Sequence, residues 1–500
     1  MKNPIQENTG SEAFLKPSVI ILLILVVAAF GIIVVKVGPL IGLAIILIPG
    51  LFFFLNRLFN NPQFGVYMVF LAGFTVNGIT RYLGDYPFGL SIDIILILTY
   101  IAIFFKEFNR KMDWSPATND LTLVALIWFT YALLQLLNPE AVSKTAWFYA
   151  MRGESLYMLL TVPLVMMLMN KYRNLNTFLY LWAIISIIAT IKGVIQLKIG
   201  LDPWEQKWIN AGAYTTHILF GKLRVFSFYS DAGQFGAAQA HAGLVGTILF
   251  LHTKLFKERL LFGIMAIAGF YGMFISGTRG SIAVIFAGFF IYLVLTRNLR
   301  MITIGTLVGI SFFVFFKFTT IGNDVYAINR MRTAFNPEDP SLLLRLENQK
   351  KLRIYLTDKP FGGGIGSSAY WGKRFSPNSY LSTIATDSWY VVIWAEQGIV
   401  GLALHLIILF YIIGRGAFLS MFRVRDPVLQ GKLFALNSGI LGIMAASYGN
   451  AVLGQMPTAL MIYSSMAFLF LAKRIDNEIK ESETELKRLD NEIGNQTNLK

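Results

Sequence analysis

The sequence predicts an all-α integral membrane protein, a bundle of about 12–14 transmembrane helices with one large loop outside the membrane. Of its 500 residues, 55% are hydrophobic and only 14% are charged, whereas soluble proteins carry about a quarter charged residues. Apolar runs of spanning length recur along the chain. The lysines and arginines between these runs alternate between rich and poor loops, as the loops of membrane proteins do.

Each predicted span approaches the roughly twenty apolar residues that a bilayer requires. The runs lie near residues 18–35, 37–55, 62–79, 89–105, 121–137, 154–170, 177–197, 234–252, 260–276, 281–296, 301–317, 388–413, 433–453 and 456–472. No small-residue cleavage pattern follows the first run, so we interpret it as a helix and not as a signal peptide. The chain then divides into a cytoplasmic N-terminal segment (1–17), helices 1–11 with an outer loop at 199–233 (18–317), a large periplasmic loop (318–386), helices 12–14 (387–472) and a cytoplasmic helical tail (473–500).

The orientation follows from the short loops. One set holds 15 lysines and arginines and the alternate set holds 5, and the richer set faces the cytoplasm. Both termini are then cytoplasmic. The same topology accounts for the net charge of +15, so no nucleic-acid partner is implied. The chain has no cysteine, which excludes disulfides and cysteine metal sites, and its histidines show no metal-ligand spacing.

Polar residues cluster where the outer loop at 199–233 enters a span. Arg224, Asp231 and Gln234 lie there among glycines and aromatics. An arginine can bind a phosphate through two N–H groups, and a helix N-terminus favours the same anion. Alternatively, Asp231 caps the helix and Arg224 anchors at the interface.

A second motif, Ser-Gly-Thr-Arg-Gly-Ser at 276–281, forms a turn between two apolar runs on the outer side. Its Arg279 breaks the positive-inside trend, which favours contact with an anion or a carboxylate. Downstream, Arg345 lies on an amphipathic helix, followed by a glycine run that includes Gly364 and Gly366. Glycines permit close backbone approach to a ligand, although this run lacks the Lys-Ser/Thr of a nucleotide P-loop.

Two carboxylates begin the next span. Asp387 is either a base, a cation partner or a helix cap. Glu396 lies roughly 13 Å further along the helix, where an acid requires a partner, and Arg279 and Arg224 are candidates. The large loop itself carries nine basic and five acidic residues, a surplus that indicates an anionic ligand near the outer leaflet.

The order of these motifs resembles that of the O-antigen ligase and polymerase superfamily over roughly residues 220–405. Members have an outer arginine before a helix entry, a Ser-Gly-Ser/Thr-Arg-Gly turn, an arginine-rich helix, a Pro-x-x-Gly-x-Gly stretch and a Glu-x-Gly-x-x-Gly motif. The corresponding positions here are Arg224, Ser276 to Gly280, Arg345, Pro360 to Gly366, and Glu396 to Gly401.

The resemblance implies a metal-independent glycosyltransferase of the GT-C type in the bacterial inner membrane, without a cofactor. The donor would be an oligosaccharide on undecaprenyl pyrophosphate, and the acceptor a glycan or the lipid A core, among membrane lipids. Arg224 and Arg279 would hold the pyrophosphate, with Arg345 in support. Ligases carry histidine where this chain has Asp387, which favours a polymerase or an atypical ligase.

Two other hypotheses remain open. A flippase for lipid-linked oligosaccharides should show charges along several spans, whereas charge here concentrates on one side. A scaffold could act through the tail, whose Ile475, Ile479, Leu486, Leu489 and Ile493 are spaced like a short coiled-coil seam. Such a tail would bind a chain-length regulator or a second copy. The alternative, which the single short seam favours, is a solvated amphipathic helix.

Overall fold

The computed structural model describes Ile21 and residues 39–84, 86–109, 111–219, 221–324 and 326–497. The helices up to residue 217 are α1 Pro39–Asn60, α2 Gln63–Leu83, α3 Leu90–Asn109, α4 Asp120–Leu134, α5 Lys144–Met151, α6 Tyr157–Leu168, α7 Tyr172–Lys198, α8 Pro203–Trp208 and α9 Tyr214–His217. The later helices are α10 Ala232–His252, α11 Phe256–Ile275, α12 Ile282–Thr296, α13 Leu299–Phe318, α14 Tyr326–Arg332, α15 Pro340–Tyr355, α16 Ala369–Phe375, α17 Tyr380–Thr383, α18 Trp389–Phe422, α19 Pro427–Ala446, α20 Thr458–Phe470 and α21 Ala472–Thr497. A π-turn at Arg152–Leu156 joins α5 to α6, and strands β1 Ile218–Leu219 and β2 Lys222–Leu223 form a small antiparallel hairpin.

The all-α membrane fold is confirmed. Within the described ranges, nine helices are long and apolar enough to cross a membrane, or ten if the pair α20 and α21, bent by 59°, counts as one span. Three more helices, α1, α3 and α10, have 20 to 22 residues and coincide with predicted runs. The predicted run at 18–35 lies outside the described residues apart from Ile21.

The prediction and the structure differ after α19. The predicted span 433–453 ends early, at Ala446, and residues 447–457 form an irregular segment before α20. Gly449, Gly454 and Pro457 interrupt the apolar run, and glycine and proline both disfavour helix. Irregular backbone at this depth must be buried in protein or line a cavity, and this segment does both.

Helices α10 and α19 lie at the centre of the bundle, because small residues let their neighbours approach closely. A Cβ added at Gly269 of α11 would lie 2.5 Å from the backbone nitrogen of Gly243 in α10. A Cβ at Gly442 of α19 would lie 2.8 Å from the carbonyl oxygen of Val284 in α12. Such contacts replace the hydrophobic effect as the source of packing energy between helices in lipid.

The glycine run of the large loop packs into a break in α18. Gly398 has φ +68° and ψ −169°, which interrupts the helix. The backbone groups that this break leaves without a partner in the helix bond to the loop. Gly363 and Gly364 donate to the carbonyl oxygens of Ala395 and Glu396 at 2.9 and 2.8 Å, and the Val400 N–H donates to the carbonyl oxygen of Pro360 at 3.2 Å. The large loop is thereby fixed against the bundle.

The tail helix α21 begins attached to the bundle. The Asp476 carboxylate accepts from the backbone N–H groups of Arg425 and Asp426 at 2.9 Å, and Glu478 accepts from that of Tyr172 at 2.8 Å. The side chains of Leu486, Leu489 and Ile493, which complete the predicted seam, lie outside the described part of the chain.

Candidate active site

Arg224 and the turn that carries Arg279 meet in space. Arg224 follows the β1–β2 hairpin, and its backbone N–H donates to the His217 carbonyl at 2.8 Å. Its guanidinium group donates to the Thr216 carbonyl and to the Thr278 hydroxyl, both at 3.0 Å. Because Thr278 directly precedes Arg279, the two arginines predicted to bind an anion belong to one cluster.

Arg279 has an acidic partner within the large loop. Its guanidinium group forms a hydrogen-bonded ion pair with Asp339 and donates to the Thr333 hydroxyl at 3.2 Å. Both charged side chains are mostly buried, 16% and 15% exposed. Asp339 also caps α15, since its carboxylate accepts from the backbone N–H groups of Ser341 and Leu342 at 3.0 and 3.1 Å. Arg279 therefore fixes the start of the loop's longest helix.

One further ion pair extends this group of charges along α15. Arg345 lies in the second turn of α15 and donates to the Asp387 carboxylate at 3.3 Å. Both are accessible, 33% and 56% exposed. We call Arg224, Arg279 and Arg345, with Asp339 and Asp387, the arginine cluster. Its parts are joined by Thr278, which contacts Arg224, and by α15, which Asp339 caps and which carries Arg345.

Asp231 and Gln234 serve the helix entrance. The Asp231 carboxylate caps α10 by accepting from the Gln234 backbone N–H at 3.0 Å, and it also accepts from the Ser230 hydroxyl at 2.8 Å. The Gln234 side chain accepts from the Ser230 backbone and hydroxyl and donates to the Met456 carbonyl. The contacts therefore show Asp231 as the cap of α10.

Beside the arginine cluster is a cavity of about 590 Å³, which we call the central cavity. It is lined by charged, polar and aromatic groups that include Arg81, Arg152, Glu154, Ser230, Glu396, Tyr149, Trp371, Trp389 and Arg374. The irregular segment 447–457 borders both sites. Ala451 and Gly454 line the cavity. On the side of the arginine cluster, a Cβ added at Gly280 would lie 2.7 Å from the side-chain nitrogen Nδ2 of Asn450.

The sequence reasoning missed the two buried arginines of the central cavity. Arg152 binds Asp93 through two hydrogen bonds of 3.0 and 2.6 Å. The Arg81 guanidinium group packs against two neighbouring rings, 4.6 Å from the centre of Trp208 and 4.3 Å from that of Phe226. In the sequence, both arginines lie in short loops that are poor in lysine and arginine. A cation in such a loop is the same signal that identified Arg279, and it could have identified Arg81 and Arg152.

Glu396 has partners other than the expected ones. Its carboxylate accepts from the backbone N–H groups of Gly366 and Ser368 at 2.6 and 3.0 Å and from the Ser368 hydroxyl at 2.7 Å. The expected partners, Arg279 and Arg224, are engaged elsewhere. The expectation was wrong because the backbone of the glycine run supplies the donors, and sequence spacing does not reveal this.

A second carboxyl group adjoins Glu396. Glu154 is buried and accepts a hydrogen bond from the side chain of Gln397, the residue after Glu396. Both glutamates line the central cavity, so two neighbouring acids lie at its wall.

Gly364 and Gly366 contact protein. Their φ angles are +88° and +80°, a region that side chains other than glycine rarely adopt. A Cβ at Gly364 would lie 2.6 Å from that of Ala141, and one at Gly366 would lie 2.5 Å from the Ala146 backbone. These glycines therefore position the Glu396 donors, and their contacts are with α5 and the residues before it.

The Arg279–Asp339 pair predicts a pH dependence. The hydrogen bond from Arg279 holds the pKa of Asp339 below its ordinary value, against the opposing effect of burial. The stabilisation is then present above the ordinary aspartate pKa and is lost as pH falls through the lowered pKa. Wild type should melt at a higher temperature than Asp339→Asn at neutral pH, and the difference should shrink as pH falls below the ordinary aspartate pKa of about 3.9. Asparagine retains the cap, so a pH-independent difference would contradict the ion pair.

One known protein family matches the part of the chain that contains most of this site. Residues 264–406 match the family model described as O-Antigen ligase. The match includes Arg279, Arg345, Asp387 and Glu396, and Arg224 precedes it. The match supports the resemblance seen in the motifs, and the long apolar helices are those of a multi-pass membrane protein. The search of curated proteins found no match.

Proposed function

We propose that this chain, whose residues 264–406 carry the O-antigen ligase domain, transfers a glycan from undecaprenyl pyrophosphate onto a sugar hydroxyl at the periplasmic face of the inner membrane. The observation that carries the proposal is the meeting of Arg224 with the turn of Arg279 through Thr278. The topology predicted from the short loops puts that meeting on the outer side, with both termini in the cytoplasm.

The arginine cluster suits a pyrophosphate. Guanidinium groups bind phosphate oxygens through paired N–H donors and stay charged at every physiological pH. Fixed donors aimed at a leaving group stabilise the negative charge that develops on it during transfer. In this proposal Arg224 and Arg279 bind the pyrophosphate, and Arg345 orients the Asp387 carboxylate, to which it already donates.

The reaction needs one base and no redox change. The acceptor hydroxyl oxygen attacks the anomeric carbon, the bond from that carbon to the pyrophosphate oxygen breaks, and Asp387 takes the hydroxyl proton. Undecaprenyl pyrophosphate leaves with the bonding electron pair. The central cavity, with aromatic rings and polar groups along its wall, is suited to the acceptor glycan. Since ligases carry histidine at the Asp387 position, we favour a growing glycan as acceptor, which makes the reaction a polymerisation.

A reconstituted transfer reaction tests this proposal. Purified protein in liposomes, given an undecaprenyl-pyrophosphate-linked oligosaccharide, should produce longer glycans and free undecaprenyl pyrophosphate. Asp387→Asn should lower the rate by about a hundredfold or more, the usual contribution of a general base. The matched control is Asp120→Asn, because Asp120 also pairs with an arginine, Arg415, at 3.1 Å, at the predicted cytoplasmic end. Movement of labelled lipid across the bilayer without elongation would instead support the flippase.

A further inference from the structure

The tail helix α21 continues well beyond its contacts with the bundle. Ile475 is fully buried, and Ile479 packs against the main hydrophobic core. From Lys480 onward, every residue whose exposure the structure describes is exposed, while the helix extends to Thr497. This projecting part is roughly 27 Å long. Helices in proteins owe most of their stability to the packing of an amphipathic face, and the face of the projecting part is accessible to a partner.

The apolar face that packs against the bundle continues into the projecting part. Its members are separated by three or four residues, the spacing of the a and d positions in a heptad repeat. After Ile475 and Ile479 they are Ser482, Leu486, Leu489 and Ile493. We call this row of residues the tail seam.

The positions that flank the tail seam are all acidic. In the register of the seam, the flanking e and g positions over three heptads are Asp476, Glu478, Glu483, Glu485, Asp490 and Glu492. The lysines and arginines of the helix lie at the b and c positions, on the far side, and are Lys473, Arg474, Lys480, Lys487 and Arg488. A helix that is only solvated has no need to sort its acids from its bases in this way.

The first heptad shows what the flanking acids bind. The Asp476 carboxylate accepts from the backbone N–H groups of Arg425 and Asp426, both at 2.9 Å, and Glu478 accepts from that of Tyr172 at 2.8 Å. These donors lie at the beginnings of α19 and α7, where the helix dipole is positive. The bundle therefore complements the first heptad with an apolar core and a positive group on each side of the seam.

The charge pattern selects the occupant of the later heptads. In a parallel coiled coil, a g residue faces the e residue of the next heptad in the other helix. Two copies of α21 would then oppose Glu485 and Asp490, and an antiparallel pair would also oppose acid to acid. Helices that lie on a membrane carry lysine and arginine on their polar face, which anionic lipids attract, whereas acids beside the apolar face are repelled. A helix with basic flanking residues instead gains an opposite charge at each position.

We propose that the projecting part of α21 binds an amphipathic helix of a partner protein, whose apolar seam is flanked by lysine and arginine residues. The topology predicted from the short loops puts this contact on the cytoplasmic side, across the membrane from the arginine cluster. The proposal goes beyond glycan transfer and does not depend on it. The tail would tether the partner protein to the cytoplasmic face of the bundle.

A charge-swap experiment tests this pairing. The probe is a labelled three-heptad peptide with leucine at a and d and lysine at e and g, and its matched peptide has glutamate at e and g. Fluorescence anisotropy measures the binding of each peptide to the full chain in phosphatidylcholine nanodiscs, which carry no net lipid charge. The full chain should bind the lysine peptide at least about tenfold more tightly than the glutamate peptide, the combined effect of several exposed ion pairs.

Two triple variants locate the effect. Glu483→Lys with Glu485→Lys and Glu492→Lys reverses exposed flanking charges and should reverse the preference between the peptides. The matched control adds three lysines away from the tail seam, also at exposed positions, and should keep the preference. Its substitutions are Asn477→Lys, Glu481→Lys and Thr484→Lys.

Three results would overturn the proposal. Equal binding of the two peptides, or the same response in both triple variants, would leave α21 as a solvated helix. Loss of an oligomer in light scattering when Leu486→Ser and Leu489→Ser are combined would make a second copy the occupant. Slower hydrogen exchange of residues 482–497 in phosphatidylglycerol than in phosphatidylcholine nanodiscs, without peptide, would make the membrane the occupant. The proposal expects that exchange to slow only when the lysine peptide binds.

Discussion

Replacing Arg279 with alanine is expected to lower the rate of glycan transfer by at least about a hundredfold, the usual effect of removing one preorganised donor to a developing negative charge. Arg279 is mostly buried and is fixed by Asp339 and Thr333. It therefore presents its charge without reorganisation, and alanine cannot replace it. The measurement is kcat for chain extension by purified protein in liposomes, with protein quantity matched by size-exclusion chromatography.

Three variants separate charge stabilisation from a structural role. Asp339→Asn removes the partner of Arg279 and keeps the cap, so it should lose much less activity than Arg279→Ala. Arg279→Lys keeps the charge but not the forked N–H groups, and its rate should be intermediate. Arg415→Ala removes an arginine from an exposed ion pair at the other end of the bundle and should be fully active. If Asp339→Asn were as inactive as Arg279→Ala, Arg279 would serve only to anchor α15.

Replacing Glu396 with alanine is expected to destabilise the protein by about 3 kcal/mol or more. Its carboxylate accepts three hydrogen bonds, from the Gly366 and Ser368 backbone and from the Ser368 hydroxyl. Alanine would leave these buried donors without a partner, and each unsatisfied donor costs about 1–3 kcal/mol. The glycine run would then be held to the break in α18 only by its backbone hydrogen bonds. Thermal unfolding in detergent, followed by intrinsic tryptophan fluorescence, should show a clearly lower melting temperature.

The neighbouring acid is the matched control. At position 154, glutamine keeps an oxygen that accepts from the Gln397 side chain. Glu154→Gln should therefore change the stability by less than about 1 kcal/mol. A loss as large as that of Glu396→Ala would mean that the Glu154 carboxyl group, and not only its acceptor oxygen, is needed for stability.

The sequence was sufficient to predict the fold class, because a bilayer requires long apolar helices and their signal is local. It failed where the chain leaves the helix inside the bundle. Glycine and proline disfavour helix in the segment 447–457, but its contacts with the central cavity and with Gly280 could not be predicted from the sequence. The break at Gly398 was likewise invisible, since it depends on hydrogen bonds from a loop more than thirty residues earlier in the chain.

The candidate site was predicted in part. Arg279 was recognisable as a cation on the side where cations are sparse, and Arg224 and Asp387 by their motifs. Their partners were not recognisable, because the Arg279–Asp339 and Arg345–Asp387 pairs join residues 60 and 42 positions apart. Arg81 and Arg152, like Arg279, are cations in loops that are poor in lysine and arginine. Neither lies in a glycine-rich turn, so their sequence context did not distinguish them from ordinary charges that flank a span.

The most direct test of the central claim, that the arginine cluster binds the donor pyrophosphate, is a cryo-electron microscopy structure with undecaprenyl-pyrophosphate-linked oligosaccharide in a nanodisc. The account predicts pyrophosphate density within about 3 Å of the guanidinium groups of Arg224 and Arg279. The sugars should point toward the central cavity. Pyrophosphate density against Arg81 or Arg152, with the arginine cluster empty, would contradict the account.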